Sequence, residues 1–312
     1  MGKYFISVVI PVYNEGRQIE HNIGEIRKIL ESQDIRYELI LVDDGSRDDT
    51  WQRLVRLSME YPSIRCIRLS RNFGKEAALC AGLEDAGGDA CITMDSDLQH
   101  PPELIPEMLS LWQREGWDII EAVKASRGRE HLTNKLGAGL FYTLLERLSG
   151  FNLKGSCDFK LMNARVLAAW RKMDERITFF RGMSAWVGFK RKSIPFTVAE
   201  RRGGGSKWSF FSLVKLAVRA ITSFSSLPLQ VVSLLGMILL AGSVILGLQT
   251  LYMKFKGIAV SGFTTVILLQ LIIGSSLMIS LGIIGTYIAR IYDEVKRRPR
   301  YIIAEKTGRE AL

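Results

Sequence analysis

The sequence predicts an α/β domain built on a mostly parallel sheet, followed by an interfacial amphipathic helix and two transmembrane helices. Three observations predict it. Apolar, β-branched runs alternate with helical patterns through the first half of the chain, the rhythm of β-α-β units. Charge then vanishes twice: no Asp, Glu, Lys or Arg occurs from 220 to 253, nor from 257 to 289. Between these regimes, "SKWSFFSLVKLAVRAITSF" gathers Trp208, Phe211, Val214, Leu216, Val218 and Ile221 on a broad apolar face with Lys215 and Arg219 at its margin, a pattern suited to the headgroup plane.

The elements follow in order. "FISVVIPV" is too short for the apolar core of a secretory signal and reads as a strand. A helix over 19–30 leads to the strand "YELILVDD", and a helix over 50–59 to "IRCIRLS". Next come a helix over 75–83, the strand "ACITMD", a helix over 102–114 and the strand "WDIIEAV". Domain bounds follow: 1–200 for the sheet domain, 201–226 for a basic glycine linker and juxtamembrane helix, 227–289 for a transmembrane hairpin with spans at 229–251 and 266–288, and 290–312 for a basic tail. Each uncharged stretch exceeds the roughly 20 residues that cross a bilayer. Lys207, Lys215 and Arg219 precede the hairpin, Arg290, Lys296, Arg297, Arg298 and Arg300 follow it, and only Lys254 and Lys256 lie in its loop. That asymmetry places both termini and the N-terminal domain in the cytoplasm.

The 312 residues carry a net charge of +10, from 42 basic and 32 acidic side chains. Such a balance suits anionic lipid or a phosphorylated substrate. Nucleic acid is disfavoured, since no RNP-like run or zinc-finger spacing occurs. Cys66, Cys80, Cys91 and Cys157 form no C-x-x-C pair and read as small core residues. Ile6 stands where a myristoylation motif needs Ser or Thr.

Against this basic background, three strand ends are acidic: Glu15 in "PVYNE", Asp43 and Asp44 in "DDGS", and Asp95 and Asp97 in "DSD". In a parallel sheet, ligands bind beyond the carboxyl ends of the strands, and clustered carboxylates there call for a cation. In an extended segment Asp95, Asp97 and Gln99 project to one side. Mg²⁺ or Mn²⁺ suits such a partial set of oxygen ligands, completed by water and phosphate. No G-x-G-x-x-G and no Walker loop occurs, which disfavours dinucleotide and P-loop enzymes.

"SVVIPVYNE", "LVDDGSRDDT", "RNFGKEAALCAGL" and "MDSDLQHPPE", in this order and spacing, resemble the GT-A fold of family 2 glycosyltransferases. "CDFKLMNARV", "ERITFFRGMSAWVGFK", "ERRGGGSKWSF", "AITSFSSLPL" and "GIIGTYIARIYDEVKRRPRYII" narrow the resemblance to polyprenyl-phosphate glycosyltransferases, closest to the bactoprenol glucosyltransferases of O-antigen modification and more distantly to dolichol-phosphate mannose synthase. The resemblance implies inverting transfer of a hexose, glucose in the closest group, from a nucleotide sugar such as UDP-glucose to undecaprenyl phosphate at the bacterial inner membrane. It implies a nucleoside pocket of Pro11, Tyr13, Glu15 and Asp44 with Asp43 in support, Lys75 near the donor, and Asp97 and Gln99 as metal ligands with Asp95 a third ligand or a donor contact. Asp158 matches the family's proposed base, although an anionic acceptor phosphate needs little deprotonation and Asp158 serves equally as an orienting residue. Arg201, Ser206 and Lys207 around "GGGS" match the lipid-phosphate contact. Two departures stand out: Cys157 where relatives often have Gly, and His100 where they commonly have Asp, here expected as a surface turn residue. A functional link to a flippase of lipid-linked sugars, or a structural partnership with one, is a further expectation, and Gly274, Ser275, Gly282 and Gly285 permit the close helix packing of a homo-oligomer. Other sugars (GDP-mannose, UDP-GlcNAc, a UDP-aminoarabinose derivative), a processive polysaccharide synthase and a non-catalytic nucleotide-sugar binder stay open. The synthase is disfavoured by the absence of Q-x-x-R-W and by the number of spans.

Overall fold

An apolar run with no polar alternation needs cover on both faces, and β1 (Phe5–Val12) is buried along nearly its whole length. A computed structural model describes residues 4–126, 156–173, 175, 179–197, 227–257 and 262–308. After β1 come α1 (Ile19–Glu31), β2 (Arg36–Asp43), α2 (Thr50–Glu60), β3 (Ile64–Leu69), α3 (Lys75–Asp85), β4 (Ala90–Thr93), a 3-10 turn (Pro102–Leu104), α4 (Ile105–Glu115) and β5 (Ile119–Ser126). Then follow β6 (Ser156–Asn163), α5 (Ala164–Arg171), α6 (Phe180–Trp186) and β7 (Arg191–Thr197).

The sheet runs β7-β5-β6-β4-β1-β2-β3-β8, where β8 is Ile303–Thr307. Strands β3, β2, β1 and β4 are parallel, whereas β6 lies antiparallel between β4 and β5. From β1 the chain steps to β2 and β3 on one side, then crosses to β4 on the other. That reversal opens a crevice beyond the carboxyl ends of β1 and β4, where an open α/β sheet binds ligands.

One face of the sheet packs Ile6, Val8 and Ile10 of β1, Leu39 and Leu41 of β2 and Ile92 of β4 against α1, α2 and α4. The other face receives α3, whose residues Ala77–Leu83 are all buried. Small residues let this helix sit close. A Cβ added at Gly82 would run into Val9 Cγ1, so Gly82→Ala should lower stability by about 1–3 kcal/mol through overpacking. A thermal unfolding midpoint equal to that of the parent would remove this account of the α3–sheet contact. Cys66, Cys80, Cys91 and Cys157 are all buried free thiols.

The segment after the hairpin, 290–312 in the sequence reading, contributes an edge strand. β8 pairs antiparallel with β3. Its Glu305 accepts from Arg68 at 3.0 Å and from Trp51 Nε1 at 3.2 Å, and Lys306 meets Asp85 at 2.5 Å. Isolated, five residues with exposed side chains would make no strand; the open edge of β3 supplies the partner.

The chain divides into two compact units, one of them Phe210–Arg298. Within it, α7 (Leu227–Phe255) and α8 (Phe263–Val295) have 29 and 33 residues. Their most apolar stretches, Pro228–Phe255 and Leu269–Val295, are long and apolar enough to cross a membrane. Val231, Leu240, Ile245, Leu271, Met278 and Ile288 are among many large apolar side chains that these helices expose, the pattern of a lipid-facing surface. The linker and juxtamembrane helix read at 201–226 lie outside the described residues.

Candidate active site

The crevice between β1 and β4 holds a cleft of about 280 Å³. Pro11, Tyr13 and Glu15 enter it from the end of β1, Asp44 from the end of β2, Lys75 from the start of α3, and Asp95 and Asp97 from the loop after β4. The topology thus brings together seven residues expected at the donor. Val12, Asn72 and Ser96 complete the wall and were not foreseen.

Backbone hydrogen bonds fix these loops. Asn14 takes a left-handed conformation (φ 53°), open to Asn because its side chain bonds locally. Its N–H donates to Ser46 Oγ at 2.9 Å, and its Oδ1 accepts from Arg47 N–H at 2.9 Å. Glu15 N–H donates to Thr50 Oγ1 at 2.9 Å. The polar remainder of "DDGSRDDT" therefore stitches the β1 loop in place. Gly45 is needed where that segment turns: φ is 68°, and a Cβ there would meet the Arg71 backbone.

Asp43 and Asp44 part company. Asp44 accepts from Phe73 N–H at 2.7 Å and Gly74 N–H at 2.9 Å, so it positions the "NFGK" turn and with it Lys75. Asp43, expected to support the nucleoside, is fully buried and does not line the cleft. Its Oδ1 accepts from Ser46 N–H at 3.0 Å, and its Oδ2 faces Arg68 Nε at 3.5 Å.

The segment after β4 is not extended, which corrects the projected alignment of Asp95, Asp97 and Gln99. Asp97 accepts from the N–H of Gln99 at 3.0 Å, and Leu98 is left-handed (φ 55°). This is the local bonding that makes Asp a turn residue. Asp95 and Asp97 still face the cleft, but Gln99 does not line it. Among the described residues, no group of three or more His, Cys, Asp or Glu side chains forms a ready metal cage. Two carboxylates nevertheless fit an ion that leaves its other positions to water and diphosphate. Burial pushes the Glu15 carboxyl up, and the negative charges of Asp97 and Asp95 add to that rise. A cation, the Lys75 ammonium, already stands 2.6 Å from Asp95 Oδ1.

His100 is a second correction. Far from a surface turn, it is 5% exposed and stacks on Phe159 with ring centroids 5.6 Å apart. Phe196 meets it edge-on at 5.9 Å, and Nδ1 lies 3.9 Å from Asp95 Oδ2. The apolar faces of the ring let it pack as an aromatic beneath Asp95.

Asp158 arrives from an unexpected direction. β4 and β6 pair antiparallel with Thr93 opposite Lys160, and continuing that register sets Asp158 level with Asp95. Thr93 Oγ1 donates to the Asp158 carbonyl at 2.6 Å. The Asp158 carboxylate accepts from Arg181 Nε at 2.7 Å, Arg181 Nη2 at 3.0 Å and Lys75 Nζ at 2.6 Å. Burial alone would raise its pKa, but Arg181 and Lys75 hold the carboxyl well below the usual range. For Lys75, burial works against the charge, and Asp95 and Asp158 outweigh it to raise the pKa.

Sequence reasoning missed Arg181 and Glu76. Arg181 is a single cation inside the apolar "ITFFRGMSAW", and that isolation was its only signal. Ser184, one turn on, donates to the Arg181 carbonyl at 3.0 Å and accepts from buried Lys160 Nζ at 2.7 Å, which pins α6 to β6. Glu76 accepts from Phe180 N–H at 2.8 Å, tying α3 to α6. Burial, followed by the charge of Asp158, pushes its carboxyl from 4.5 up to about 7. The folded chain therefore holds the Glu76 proton more tightly than the unfolded chain, and this residue's contribution to stability falls as pH rises from 4.5 through about 7. Glu76→Gln retains an acceptor for Phe180 and should raise stability at pH 8 by about 1–3 kcal/mol while leaving it unchanged near pH 4. Equal effects at both pH values would contradict the assignment. Arg201, Ser206 and Lys207 lie outside the described residues.

A Rossmann-like sheet with an acidic, D-x-D-bearing cleft at its β1/β4 switch point defines a GT-A glycosyltransferase. The Glycosyl transferase family 2 profile matches residues 7–168, and the chain belongs to that family. An uncharacterized glycosyltransferase of Synechocystis sp. is 39% identical over 98% of this chain and 97% of its own. A prophage bactoprenol glucosyl transferase homolog of Escherichia coli is 36% identical over 96% and 98%, and the bactoprenol glucosyl transferase of Shigella phage SfII is 36% identical over 96% and 97%. The TMEM192 family profile matches residues 216–311, too little of the chain to show membership. Among solved structures, glucosyl-3-phosphoglycerate synthase from Mycobacterium tuberculosis in complex with Mn²⁺, UDP-glucose and phosphoglyceric acid is 20% identical over 70% of this chain and 78% of its own, with a TM-score of 0.46. At that score the likeness supports nothing about the site.

Proposed function

We propose that this enzyme transfers glucose from UDP-glucose to the phosphate of a membrane polyprenol, undecaprenyl phosphate, with inversion at the anomeric carbon. The observation that carries the reading is the acidic cleft at the β1/β4 switch point, in one chain with two helices of membrane-spanning length. Relatives named bactoprenol glucosyl transferase, matched over nearly their full length, support the acceptor.

Pro11, Tyr13 and Glu15 receive the nucleoside, and Asp44 sets the loop that carries Lys75 toward the diphosphate. Asp95 and Asp97 hold Mg²⁺ or Mn²⁺, which when bound supplies Lewis-acid stabilisation of the leaving diphosphate. The acceptor phosphate oxygen attacks the anomeric carbon from the face opposite the nucleotide, forming the sugar–phosphate bond as the bond to UDP breaks. That phosphate is already anionic at neutral pH, and the Asp158 carboxylate is saturated by two cations. Asp158 thus orients Lys75 and Arg181 rather than accepting a proton. Arg201, Ser206 and Lys207 supply the lipid-phosphate contacts.

The return of the chain to β3 as β8 supports an even number of crossings, since β8 and β1–β7 share one sheet. With the flanking basic residues, this supports a catalytic domain on the cytoplasmic side of a bacterial inner membrane.

The test uses full-length protein in detergent with Mg²⁺, undecaprenyl phosphate and a panel of labelled UDP- and GDP-sugars. Organic-extractable label from UDP-glucose should exceed that from every other donor. Release of free sugar without lipid product would overturn the acceptor assignment, and preference for another nucleotide sugar would overturn the donor.

A further inference from the structure

Lys75 Nζ lies 2.6 Å from Asp95 Oδ1 and 2.6 Å from Asp158 Oδ2, so one ammonium bridges a carboxylate from the loop after β4 and one from the neighbouring strand β6. Asp95 also belongs to the pair of carboxylates that suits a divalent ion. An ammonium at 2.6 Å and a metal ion cannot share that oxygen without strong like-charge repulsion. The other end of the bridge is fixed differently. Asp158 is held by two bonds from Arg181, at 2.7 and 3.0 Å, and is anchored by the β4–β6 pairing. The Lys75 side chain is 40% exposed and lines the same cleft as Asp95 and Asp97, so it has room to swing about Asp158.

From this geometry we infer that Lys75 is the resident counter-ion of the donor-free site: a divalent cation displaces it from Asp95, and the released ammonium, still held by Asp158, turns to the donor diphosphate. The inference rests on the reading of Asp95 and Asp97 as metal ligands. It gives one residue two roles in sequence. Before loading, Lys75 offsets repulsion among Glu15, Asp95 and Asp97. After loading, the metal takes over that duty and the lysine's charge serves the diphosphate. Metal and nucleotide then bind cooperatively, because each favours the position of Lys75 that admits the other.

The experiment measures Mn²⁺ binding to the full-length, detergent-solubilised protein from the electron paramagnetic resonance of free Mn²⁺, with and without UDP. Lys75→Met should bind Mn²⁺ alone at least about tenfold more tightly than the parent. The additional tightening by UDP, pronounced in the parent, should shrink. Arg181→Met removes the other cation gripping Asp158 but leaves Lys75 on Asp95, and should change Mn²⁺ affinity less than about threefold. UDP-dependent Mn²⁺ uptake by each variant shows that its site is folded. If Lys75→Met binds Mn²⁺ no more tightly than the parent, or if Arg181→Met tightens it equally, Lys75 is not the displaced ion. If no form binds Mn²⁺ even with UDP, the metal reading itself fails, an outcome distinct from equal binding by all forms.

Discussion

Asp97→Ala should reduce glycosyl transfer by about a thousandfold or more, the scale of losing a dominant electrostatic contact to a developing leaving group. Asp97 is exposed, and among the described residues its carboxylate accepts from Gln99 N–H within its own turn. The fold should therefore tolerate the change, with an unfolding midpoint within a degree or two of the parent. The measurement is the initial rate of lipid-linked product at saturating Mg²⁺, compared with thermal unfolding of the same preparation. A rate within tenfold of the parent would remove Asp97 from the metal site. Partial recovery at high metal concentration, with the fold intact, is the expected signature of weakened ion binding.

Asp158→Asn should damage both stability and activity. The carboxylate is buried and receives bonds from two cations. Removing its charge takes a buried anion from two partly exposed cations, and Lys75 keeps Asp95 at 2.6 Å, so the cost should be about 1–3 kcal/mol, below that of a fully buried pair. In a domain of this size that corresponds to a fall in unfolding midpoint of roughly 2–12 °C. Adding Arg181→Met to Asp158→Asn should recover part of the loss, because one of the two cations that faced the lost charge goes with it. The pH dependence separates the orienting role from a base. The folded-state pKa of Asp158 is depressed, so its stabilising contribution is complete above the ordinary 3.8 and is lost only as pH falls through the lower folded value. Across pH 6–9 the parent's kcat/KM should show no limb belonging to Asp158, and the residual activity of the asparagine variant should parallel the parent's profile. A limb near neutrality that disappears in Asp158→Asn would restore the base.

Much of the site was legible because of where its residues fall along strands. Tyr13 and Glu15, Asp44, and Asp95 and Asp97 each end a run whose apolar continuity marks a buried parallel strand, and the fold gathers such ends at one rim. Lys75 was legible as a helix-start residue beside that rim. The finer geometry was not. Asp43 and Asp44 are neighbours in one acidic pair and both are buried, yet Asp43 is held by Ser46 and Arg68 away from the cleft while Asp44 accepts from the Phe73 and Gly74 amides at its wall. Whether "DSDLQH" runs on or turns depends on the bond from Gln99 to Asp97, and the burial of His100 rests on Phe159 and Phe196, both far away in sequence, packing against its ring.

By itself the sequence determined the α/β rhythm, the acidic strand ends, the uncharged spans and the membership that its motifs imply, since periodicity and charge act over short distances along the chain. Tertiary structure alone decided which acids meet. Antiparallel insertion of β6 beside β4 sets Asp158 against Lys75, 83 residues away in sequence. The same assembly seats Arg181 on Asp158 across 23 residues and returns the C-terminal segment to β3 as an eighth strand. These contacts depend on strand order and register. Both are fixed by burying the whole sheet at once, and no local stretch of sequence carries that information.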